Sequence, residues 1–329
     1  MSAPKKVFVT GAAGFIGFYV AKALLEKGVE VIGADNLNDY YDPVLKKARL
    51  QEIGAHQGFH FHEADIADHE ALKKIPGAMG ADVIIHLAAQ AGVRYSLENP
   101  FAYASSNLTG HLSVLELARH ANNLQRLVYA SSSSVYGANE KTPFSESDPV
   151  DHPVSLYAAT KRADEMMSEA YARLYGIPQI GLRFFTVYGP WGRPDMAYWS
   201  FSDKIMRGEP IRVFNHGRLE RDFTYIDDIV AGVVATALDP MKPAPGAPHK
   251  LYNIGNNRPV KLERFIEVLE DAIGQRAEKI YEDMAPGDVA RTCADISAIA
   301  ADYGFAPTTP LEEGIPKFIG WFRAWRGNA

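Results

Sequence analysis

The stretch Val7-Phe-Val-Thr-Gly-Ala-Ala-Gly-Phe-Ile-Gly17 decides the fold of this 329-residue chain. Its first four residues predict a buried strand, and three glycines follow at Gly11, Gly14 and Gly17. A helical pattern of apolar residues comes next, and then a second strand that ends at Asp35. A strand, a glycine-rich turn, a helix and a strand ending in an acid together form the fingerprint of a dinucleotide-binding βαβ unit.

Each residue of this fingerprint has a physical task. Gly11 permits the tight turn, Gly14 lets the backbone approach a pyrophosphate at the helix N-terminus, and Gly17 lets the helix pack closely on the strand. Asp35 lies 18 residues after Gly17, where a carboxylate accepts hydrogen bonds from a ribose and repels a 2′-phosphate. No Arg or Lys follows Asp35 before Lys46. We therefore expect NAD rather than NADP.

Composition limits the class of protein. The chain is 47% hydrophobic and 22% charged, with a net charge of −6, which is ordinary for a globular protein and argues against a nucleic-acid partner. A single cysteine, Cys293, excludes an internal disulfide and a cysteine metal cluster, and it suits a reducing compartment. The sequence contains no signal-peptide pattern and no apolar run of membrane-spanning length. We expect a cytoplasmic protein with no metal site and no membrane partner.

Strand-like and helix-like segments alternate along the chain and predict an α/β fold: a Rossmann-type doubly wound parallel sheet with a smaller mixed α/β substrate domain. Residues 1–186 would form the NAD-binding domain, with returning segments near 222–258. Residues 187–329 would form the discontinuous substrate domain. Further predicted elements are strands at 59–64, 82–87, 127–130 and 179–185, helices at 68–75, 100–121, 155–175 and 200–207, and a surface linker from Pro240 to Pro248.

Polar and small residues near the predicted strand ends are candidates for the cofactor site. Asp65 either meets an adenine edge or starts the capped helix 68–75, and the sequence favours neither reading. Ala88 and Ala89 form a small-residue turn that lets the backbone pass close to a cofactor. Asn107 falls in the middle of a predicted helix, and a buried amide needs partners. We therefore expect Asn107 to be a scaffold residue that faces the active site.

Tyr157 and Lys161 are the candidate catalytic pair. They are four residues apart on a predicted helix, so both side chains can point into one cleft. A tyrosine phenol ordinarily has a pKa of about 10, and lowering it to about 7 requires roughly 4 kcal/mol of preferential phenolate stabilisation. A lysine cation and a positive nicotinamide would supply this stabilisation. A serine hydroxyl from residues 132–134, at a strand end, would bridge the substrate oxygen to the phenolate.

The chain resembles the extended short-chain dehydrogenase/reductase enzymes that act on nucleotide sugars. The resemblance covers nearly the whole length and rests on Thr10–Gly17, Asp35-Asn36, Asp65-Ile66, Leu87–Ala89, Ser131–Gly137, Tyr157 with Lys161, and Arg221–Asp228. Within that family, Asp35-Asn-Leu-Asn-Asp-Tyr-Tyr-Asp42 followed by Leu45-Lys-Lys-Ala-Arg-Leu50 is similar to the UDP-glucuronate 4-epimerases.

The resemblance implies a role for each matched position. Tyr157 would be the base, assisted by Ser132 or Ser134, since related enzymes differ in the serine they use. Arg221 and Arg291 would pair with the diphosphate of a UDP-sugar. Val213 and Phe214 would border the uracil. The cofactor site would comprise Gly11, Gly14, Phe15, Ile16, Gly17, Asp35, Asn36, Asp65, Ile66, Leu87, Ala88, Ala89, Asn107, Tyr157 and Lys161.

The resemblance also implies a reaction: transient oxidation of the sugar at C4 with tightly bound NAD, followed by reduction from the other face. A 4-keto glucuronate is a β-keto acid and loses CO2 readily unless its carboxylate is held out of alignment with the ketone. Arg193 is the candidate for this clamp, with Thr186 as a second contact and Arg94 as a further candidate. A loop arginine stacked on Trp191 is the structural alternative for Arg193.

Acids that related enzymes require are absent. Related 4,6-dehydratases and decarboxylases carry Asp-Glu or Glu just before Val-Tyr-Gly, where this chain has Ser133-Ser134. The pattern therefore favours epimerisation. UDP-glucuronate decarboxylase, an epimerase of neutral UDP-sugars and a non-catalytic NAD-binding scaffold remain alternatives. The apolar faces of helices 100–121 and 155–175 suggest a homodimer joined by a four-helix bundle, as in related enzymes.

Overall fold

The computed structural model describes residues 3–242, 246–285 and 287–328, so residues 243–245 of the predicted linker lie outside the described part of the chain. The strands are β1 (Lys6–Thr10), β2 (Glu30–Asp35), β3 (Phe59–Glu63), β4 (Val83–His86), β5 (Arg126–Ser132), β6 (Gln179–Phe184), β7 (Thr186–Tyr188), β8 (Ile211–Val213), β9 (Glu220–Tyr225), β10 (His249–Ile254), β11 (Pro259–Lys261) and β12 (Lys279–Tyr281).

The helices are α1 (Phe15–Glu26), α2 (Pro43–Gly54), α3 (His69–Lys74), α4 (Tyr95–Glu98), α5 (Pro100–Tyr103), α6 (Gly110–His120), α7 (Leu156–Tyr175), α8 (Ala197–Arg207), α9 (Ile226–Leu238), α10 (Leu262–Ile273), α11 (Ser297–Tyr303) and α12 (Leu311–Asn328). None of these helices, as far as the chain is described, is both long and apolar enough to cross a membrane.

A seven-stranded parallel sheet carries the fold, in the order β10-β6-β5-β4-β1-β2-β3. The strand order reverses between β1 and β4, and the carboxyl ends of the strands open a crevice at this point. The remaining strands form a small mixed sheet, β11-β9-β7, and a two-stranded parallel sheet, β12-β8. The predicted Rossmann-type α/β fold is confirmed.

Two glycines at the junction of β1 and α1, Gly11 and Gly17, leave no room for a side chain. Gly11 has a φ of 73°, and a Cβ there would lie 2.7 Å from the backbone nitrogen of Ala88 after β4. A Cβ on Gly17 would lie 2.0 Å from the carbonyl oxygen of Gly11. Helix α1 therefore packs directly on the backbone of the turn, and the turn packs directly on the segment that follows β4.

The helix predicted over 100–121 is present over residues 100–120, but a π-helical segment interrupts its α-helical hydrogen bonding. Asn99 caps α5 through its Oδ1, which accepts the N–H of Ala102 at 3.3 Å, and a π-helical segment over Ala104–Thr109 then leads into α6. Apolar periodicity cannot detect the extra residue of a π-turn, which re-aims the side chains around it. Two smaller differences are that α8 begins at Ala197 and that Asp68 caps α3.

Two histidines are buried in the interior of the α/β layer. His86 accepts or donates a 2.7 Å hydrogen bond with Thr10 Oγ1, and His111 does the same with Ser168 Oγ at 2.9 Å. Burial, together with the positive charge of Lys161, lowers the pKa of His86 to about 3. Burial also lowers the pKa of His111 well below its usual value. Both rings are therefore neutral at physiological pH.

Replacement of Gly17 by Ala tests the close packing of α1. We expect Gly17→Ala to lower the free energy of unfolding in urea by about 3 kcal/mol, the upper range for overpacking. Gly54→Ala is the matched control, because nothing lies within 4 Å of a Cβ there and the position is helical. The control should gain about 0.5 kcal/mol. Equal stability of Gly17→Ala and native protein would contradict the described contact.

The buried histidines predict acid sensitivity. Unfolded histidine binds a proton near pH 6.5, whereas folded His86 does so only near pH 3. Between these two pH values the unfolded state therefore binds more protons than the folded state. As the pH is lowered through this range, the free energy of unfolding should fall by up to about 1.4 kcal/mol per pH unit for each such histidine. Urea unfolding at several pH values measures the slope. His86→Asn should reduce the slope of the unfolding free energy against pH, whereas His60→Gln, at an exposed position, should leave it unchanged. An unreduced slope in His86→Asn would show that His86 does not cause the acid sensitivity.

Candidate active site

The cleft at the carboxyl ends of the parallel strands contains most of the predicted cofactor residues. It encloses about 1360 Å³ of empty space, part of which is open to solvent. Among the predicted residues, the following line its wall: Gly11, Gly14, Phe15, Ile16, Gly17, Asp35, Asn36, Ile66, Leu87, Ala88, Ala89, Ser132, Tyr157, Lys161 and Arg193. The described structure places Asp65, Arg94, Asn107, Ser134, Thr186, Val213, Phe214, Arg221 and Arg291 outside this lining.

The N-terminus of α1 has the chemical features of an anion-binding cradle. Gly14 caps the helix without a side chain, and the first turn of α1 contains no acidic residue. The first N–H groups of the helix therefore have no side-chain acceptor, and they open onto the cleft beside Gly11 and Gly14. Such N–H groups, at the positive end of a helix dipole, suit a pyrophosphate.

Asp35 closes the other side of this cradle. Its Oδ2 accepts the N–H of Ala13 at 3.2 Å and its Oδ1 accepts the N–H of Leu37 at 2.9 Å. Burial raises the pKa of Asp35, and the nearby charge of Lys46 opposes the rise. The Lys46 ammonium donates hydrogen bonds of 2.8 Å to the backbone carbonyl oxygen and to the side-chain Oδ1 of Asn38. The carboxylate is thus fixed by backbone donors beside the cleft.

Asp65 does not cap the helix that follows it. Its Oδ2 accepts a 3.0 Å hydrogen bond from Asn36 Nδ2, and its Oδ1 accepts the N–H of Ala67 at 2.8 Å. The helix cap is Asp68, whose Oδ1 accepts the N–H of Ala71 at 2.9 Å. Asp65 therefore orients Asn36, which lies on the cleft wall. A contact of Asp65 with adenine stays a prediction.

Tyr157 and Lys161 lie on the first turns of α7. Ser155 caps this helix, with its Oγ accepting the N–H of Ala158 at 3.1 Å, so the helix begins just before the tyrosine. Tyr157 is half-buried and packs edge-on against the ring of Tyr103, with centroids 6.0 Å apart. Lys161 is only 3% exposed. The i, i+4 spacing brings both side chains to the same cleft, as predicted.

The serine run divides between cleft and interior. Ser132 lines the cleft and its Oγ accepts the N–H of Ser134 at 3.2 Å. The Ser134 hydroxyl is buried, and it has no hydrogen-bond partner among the described residues. Ser131 also borders the cleft, but its hydroxyl donates a 2.6 Å bond to the buried Glu165. Of the two candidates Ser132 and Ser134, the described structure therefore brings Ser132 to the cleft with Tyr157.

Asn107 supports the site from behind. In the π-helical segment its Oδ1 accepts the N–H of Gln90 at 2.8 Å, and its Nδ2 donates to the Gln90 carbonyl at 3.1 Å and to Thr160 Oγ1 at 3.0 Å. Its side chain thus ties the segment after β4, which lines the cleft, to α7, which carries Tyr157. The expectation of a buried amide with partners agrees with this placement, and its position behind the wall argues against direct cofactor contact.

Arg193 is fixed on the cleft wall by an acid. Its Nε lies 3.0 Å from Asp195 Oδ1 and its Nη2 lies 2.5 Å from Asp195 Oδ2. Tyr40 also donates a 3.2 Å bond to Asp195. Burial acts to lower the pKa of Arg193, but the ion pair raises it overall, so the guanidinium stays charged. The ring of Trp191 packs instead on Phe18 and on α12.

The loop that carries Arg193 is anchored by a fully buried cation, Arg49. Its Nε donates to the carbonyl of Trp191 at 3.0 Å, and its Nη2 donates to the carbonyl of Gly192 at 2.9 Å. Its Nη1 donates to the carbonyl of Ala13 at 2.9 Å, inside the glycine turn. Trp191 adopts a φ of 58°, which is unfavourable for a large side chain. Arg49 thus holds a strained loop against the cofactor turn.

The other predicted arginines lie outside the cleft lining. Arg221 pairs with Asp288 at 2.5 Å, and Arg291 pairs with Glu220 at 3.0 Å. The Arg221 side chain also donates to the carbonyl of Ala290 at 3.3 Å, so the structure brings the two arginines to neighbouring segments. Thr186 lies at the start of β7.

Arg94 and Phe214 are brought together. The Arg94 guanidinium lies over the Phe214 ring, 4.5 Å from its centroid. Val213, at the end of β8, is fully buried, so its side chain belongs to the core, and its carbonyl oxygen accepts the N–H of Glu282 at 3.0 Å.

Sequence reasoning missed several residues that shape the cleft. Asn38, Tyr40, Tyr41 and Lys46 line it, and all come from the stretch that resembles the UDP-glucuronate epimerases. That stretch was the available signal for them. Gln90, Ser106 and Met196 also line the cleft, and no motif indicated them.

Comparisons with known proteins agree with this geometry. Residues 7–255 match the NAD dependent epimerase/dehydratase family. Protein CapI of Staphylococcus aureus is 48% identical over 329 residues, which cover 96% of this chain and 98% of that protein. UDP-glucuronate 4-epimerase 1 of Arabidopsis thaliana is 46% identical over 333 residues, which cover 98% of this chain and 77% of that protein.

A solved structure supports the same assignment. The UDP-glucuronic acid 4-epimerase from Bacillus cereus, in complex with UDP-glucuronic acid and NAD, has a TM-score of 0.88 to this chain at 33% identity, and the match covers 97% of this chain and 99% of that one. With the glycine turn, the acid after β2 and the Tyr157/Lys161 pair in one cleft, the chain belongs to the NAD dependent epimerase/dehydratase family.

Proposed function

We propose that this protein is a UDP-glucuronate 4-epimerase that interconverts UDP-glucuronate and UDP-galacturonate. The observation that carries the proposal is the presence of Arg193 on the same cleft wall as Tyr157 and Ser132. A proton acceptor for the sugar hydroxyl and a fixed cation for a sugar carboxylate thus face one space. Full-length relatives named UDP-glucuronate 4-epimerase support the assignment.

The residues of the cleft fit NAD as the resident cofactor. Gly11, Gly14 and the open N–H groups of α1 would hold the pyrophosphate, and Asp35 would accept the ribose hydroxyls. Bound NAD would supply a reversible hydride acceptor for C4 of the sugar, so that no cofactor would be consumed. Lys161, which lies in the cleft beside Tyr157, would hold the nicotinamide ribose. The cofactor contacts of Asn36, Ile66 and Leu87–Ala89 are proposed on the same ground.

Tyr157 acts as the base in this proposal. Its phenolate accepts the proton of the sugar 4-hydroxyl as C4 is oxidised, and returns it after the keto sugar has turned over. The Lys161 ammonium favours the phenolate through its charge. Ser132 donates a hydrogen bond to the sugar oxygen and keeps it within reach of the phenolate. Ser134 would contribute only through its N–H bond to Ser132.

Arg193 protects the keto sugar from losing CO2. Decarboxylation requires the C5–carboxylate bond to align with the π-system of the ketone, and a guanidinium that binds the carboxylate prevents that alignment. The Asp195 pair fixes the Arg193 plane through Nε and Nη2, and Nη1 makes no hydrogen bond to the described residues. Thr186 is proposed as a second contact and Arg94 as a further one. We assign the diphosphate to Arg221 and Arg291, and the uracil to Phe214 and Val213.

We infer that two copies of the chain associate through α6 and α7. Large apolar side chains are exposed on this face of the described structure: Leu112 is 41%, Met166 60% and Leu174 71% exposed. Two helices from each copy would form a four-helix bundle that covers them. The division into domains at residue 186, and a cytoplasmic location, stay predictions from the sequence.

Incubation with UDP-glucuronate and no added cofactor tests the function. We expect the sugar signals in NMR to convert to those of UDP-galacturonate, because the cofactor is retained. Tyr157→Phe should lower the rate at least 1000-fold, the scale of general acid–base catalysis. A UDP-pentose product would indicate a decarboxylase, turnover of UDP-glucose a neutral-sugar epimerase, and bound NAD without any turnover a scaffold. Each of these outcomes would refute the proposal.

The carboxylate clamp predicts a change in product rather than only in rate. Arg193→Met should lower kcat by about 100-fold, since removal of one charge-assisted contact costs roughly 3 kcal/mol. The fraction of turnover that ends in CO2 release should also rise, as measured from carboxyl-labelled substrate. Arg207→Met removes an exposed ion pair on α8 and should change neither quantity. An unchanged product ratio in Arg193→Met would show that the clamp lies elsewhere.

The dimer predicts the effect of one charge on the exposed face. Native protein at micromolar concentration should scatter light as a dimer, and Met166→Glu should give a monomer, because a carboxylate would be buried in an apolar interface. Val44→Glu is the control, since Val44 is 56% exposed on α2, away from α6 and α7. A native monomer, or a Met166→Glu dimer, would rule out this interface.

A further inference from the structure

Asp164 lies against the ammonium of Lys161, three residues further along α7. Lys161 Nζ donates to Asp164 Oδ2 at 3.1 Å and to the carbonyl of Ala130 at 2.9 Å. The two side chains are 4% and 1% exposed, so the contact is sealed from water. The Tyr-x-x-x-Lys motif does not specify this acid, and the proposed reaction does not use it.

The environment of Asp164 makes a charge on it costly. Its second oxygen, Oδ1, is buried without a hydrogen-bond partner among the described residues. Burial raises the pKa of Asp164 to about 6, although the charge of Lys161 opposes the rise. A carboxylate that could be replaced by a small apolar residue is therefore retained at a cost to stability. The feature of Asp164 that can offset this cost is its contact with Lys161, the proposed catalytic lysine.

Other charged groups near Asp164 have partners of their own. Glu165 adds its negative charge, but its carboxylate binds Arg183 at 2.8 and 2.9 Å. His111 contacts the backbone of Asp164 and is neutral, and Tyr129 is held protonated by burial, which raises its pKa. Arg162, on the same helix, pairs with Glu165 and Asp151. Within the described chain, Asp164 is the carboxylate bonded to Lys161.

We propose that Asp164 is a positioning residue that holds the Lys161 ammonium in the cleft and offsets part of its charge, and so sets the pH at which Tyr157 becomes a competent base. The inference rests on the proposed function, because it concerns the same base. When Asp164 is ionised, its negative charge partly compensates the positive charge that Lys161 presents to Tyr157. With Asp164 neutral, the full cation favours the phenolate, and the base is active at lower pH.

The test is the pH dependence of kcat/KM for UDP-glucuronate in Asp164→Asn, which keeps the shape and a hydrogen-bond acceptor but removes the charge. We expect the acid limb of the profile to move down by about one pH unit, because seven residues of helix rise separate the two positions by about 10 Å and one charge acts over that length at an effective dielectric of about 20. Asp164→Glu should restore the native profile. The matched control is Asp151→Asn, which removes an exposed carboxylate near the start of α7 and should leave the profile unchanged.

A second readout does not depend on turnover. Ultraviolet pH titration of tyrosinate, taken as the difference between each protein and its Tyr157→Phe partner, should shift in the same direction and by a similar amount in Asp164→Asn. Native turnover with an unshifted profile and titration in Asp164→Asn would overturn this inference and leave the proposed function standing. A shifted titration without native turnover would refute the function while supporting the charge coupling.

Discussion

The backbone contact between Gly17 and Gly11 is the constraint on which the rest of the structure depends. Because no side chain fits there, α1 can sit directly on the turn after β1, and its N–H groups open onto the cleft. The same turn touches the segment after β4 through Ala88. That segment is tied by Asn107 to α7, which carries Tyr157. A missing Cβ therefore positions Tyr157 relative to the cradle of a dinucleotide.

Local chemistry explains which parts of this arrangement could be predicted from the sequence. The glycine turn, Asp35 and the Tyr157/Lys161 pair are each specified by neighbours within a strand or a helical turn, so spacing alone indicates their geometry. The partners of Arg193 and the π-helical segment were not predicted. Periodicity does not reveal an inserted residue, and a loop of glycines and prolines around Arg193 carries no period at all.

Contacts between residues distant in the sequence explain why other features of the site could not be predicted. Arg49 lies in α2, yet its donors reach carbonyls or a hydroxyl in other segments, including the carbonyl of Trp191, 142 residues away. Arg221 and Arg291 were predicted to pair with a diphosphate, and each also has a carboxylate partner distant in the sequence. Tertiary contacts of this kind have no signature in a single sequence.

Arg49 has a consequence for how ligands communicate. Its guanidinium bonds the Ala13 carbonyl beside the cofactor cradle and the Trp191 and Gly192 carbonyls beside Arg193. A shift of either segment leaves a buried donor without an acceptor, so movement on one side is resisted by the other. Thermodynamic linkage then requires reciprocity. If a bound sugar nucleotide raises the affinity for the cofactor by some factor, the bound cofactor raises the affinity for the sugar nucleotide by the same factor. For the proposed epimerase, this coupling would help to keep the keto-sugar intermediate bound in the cleft.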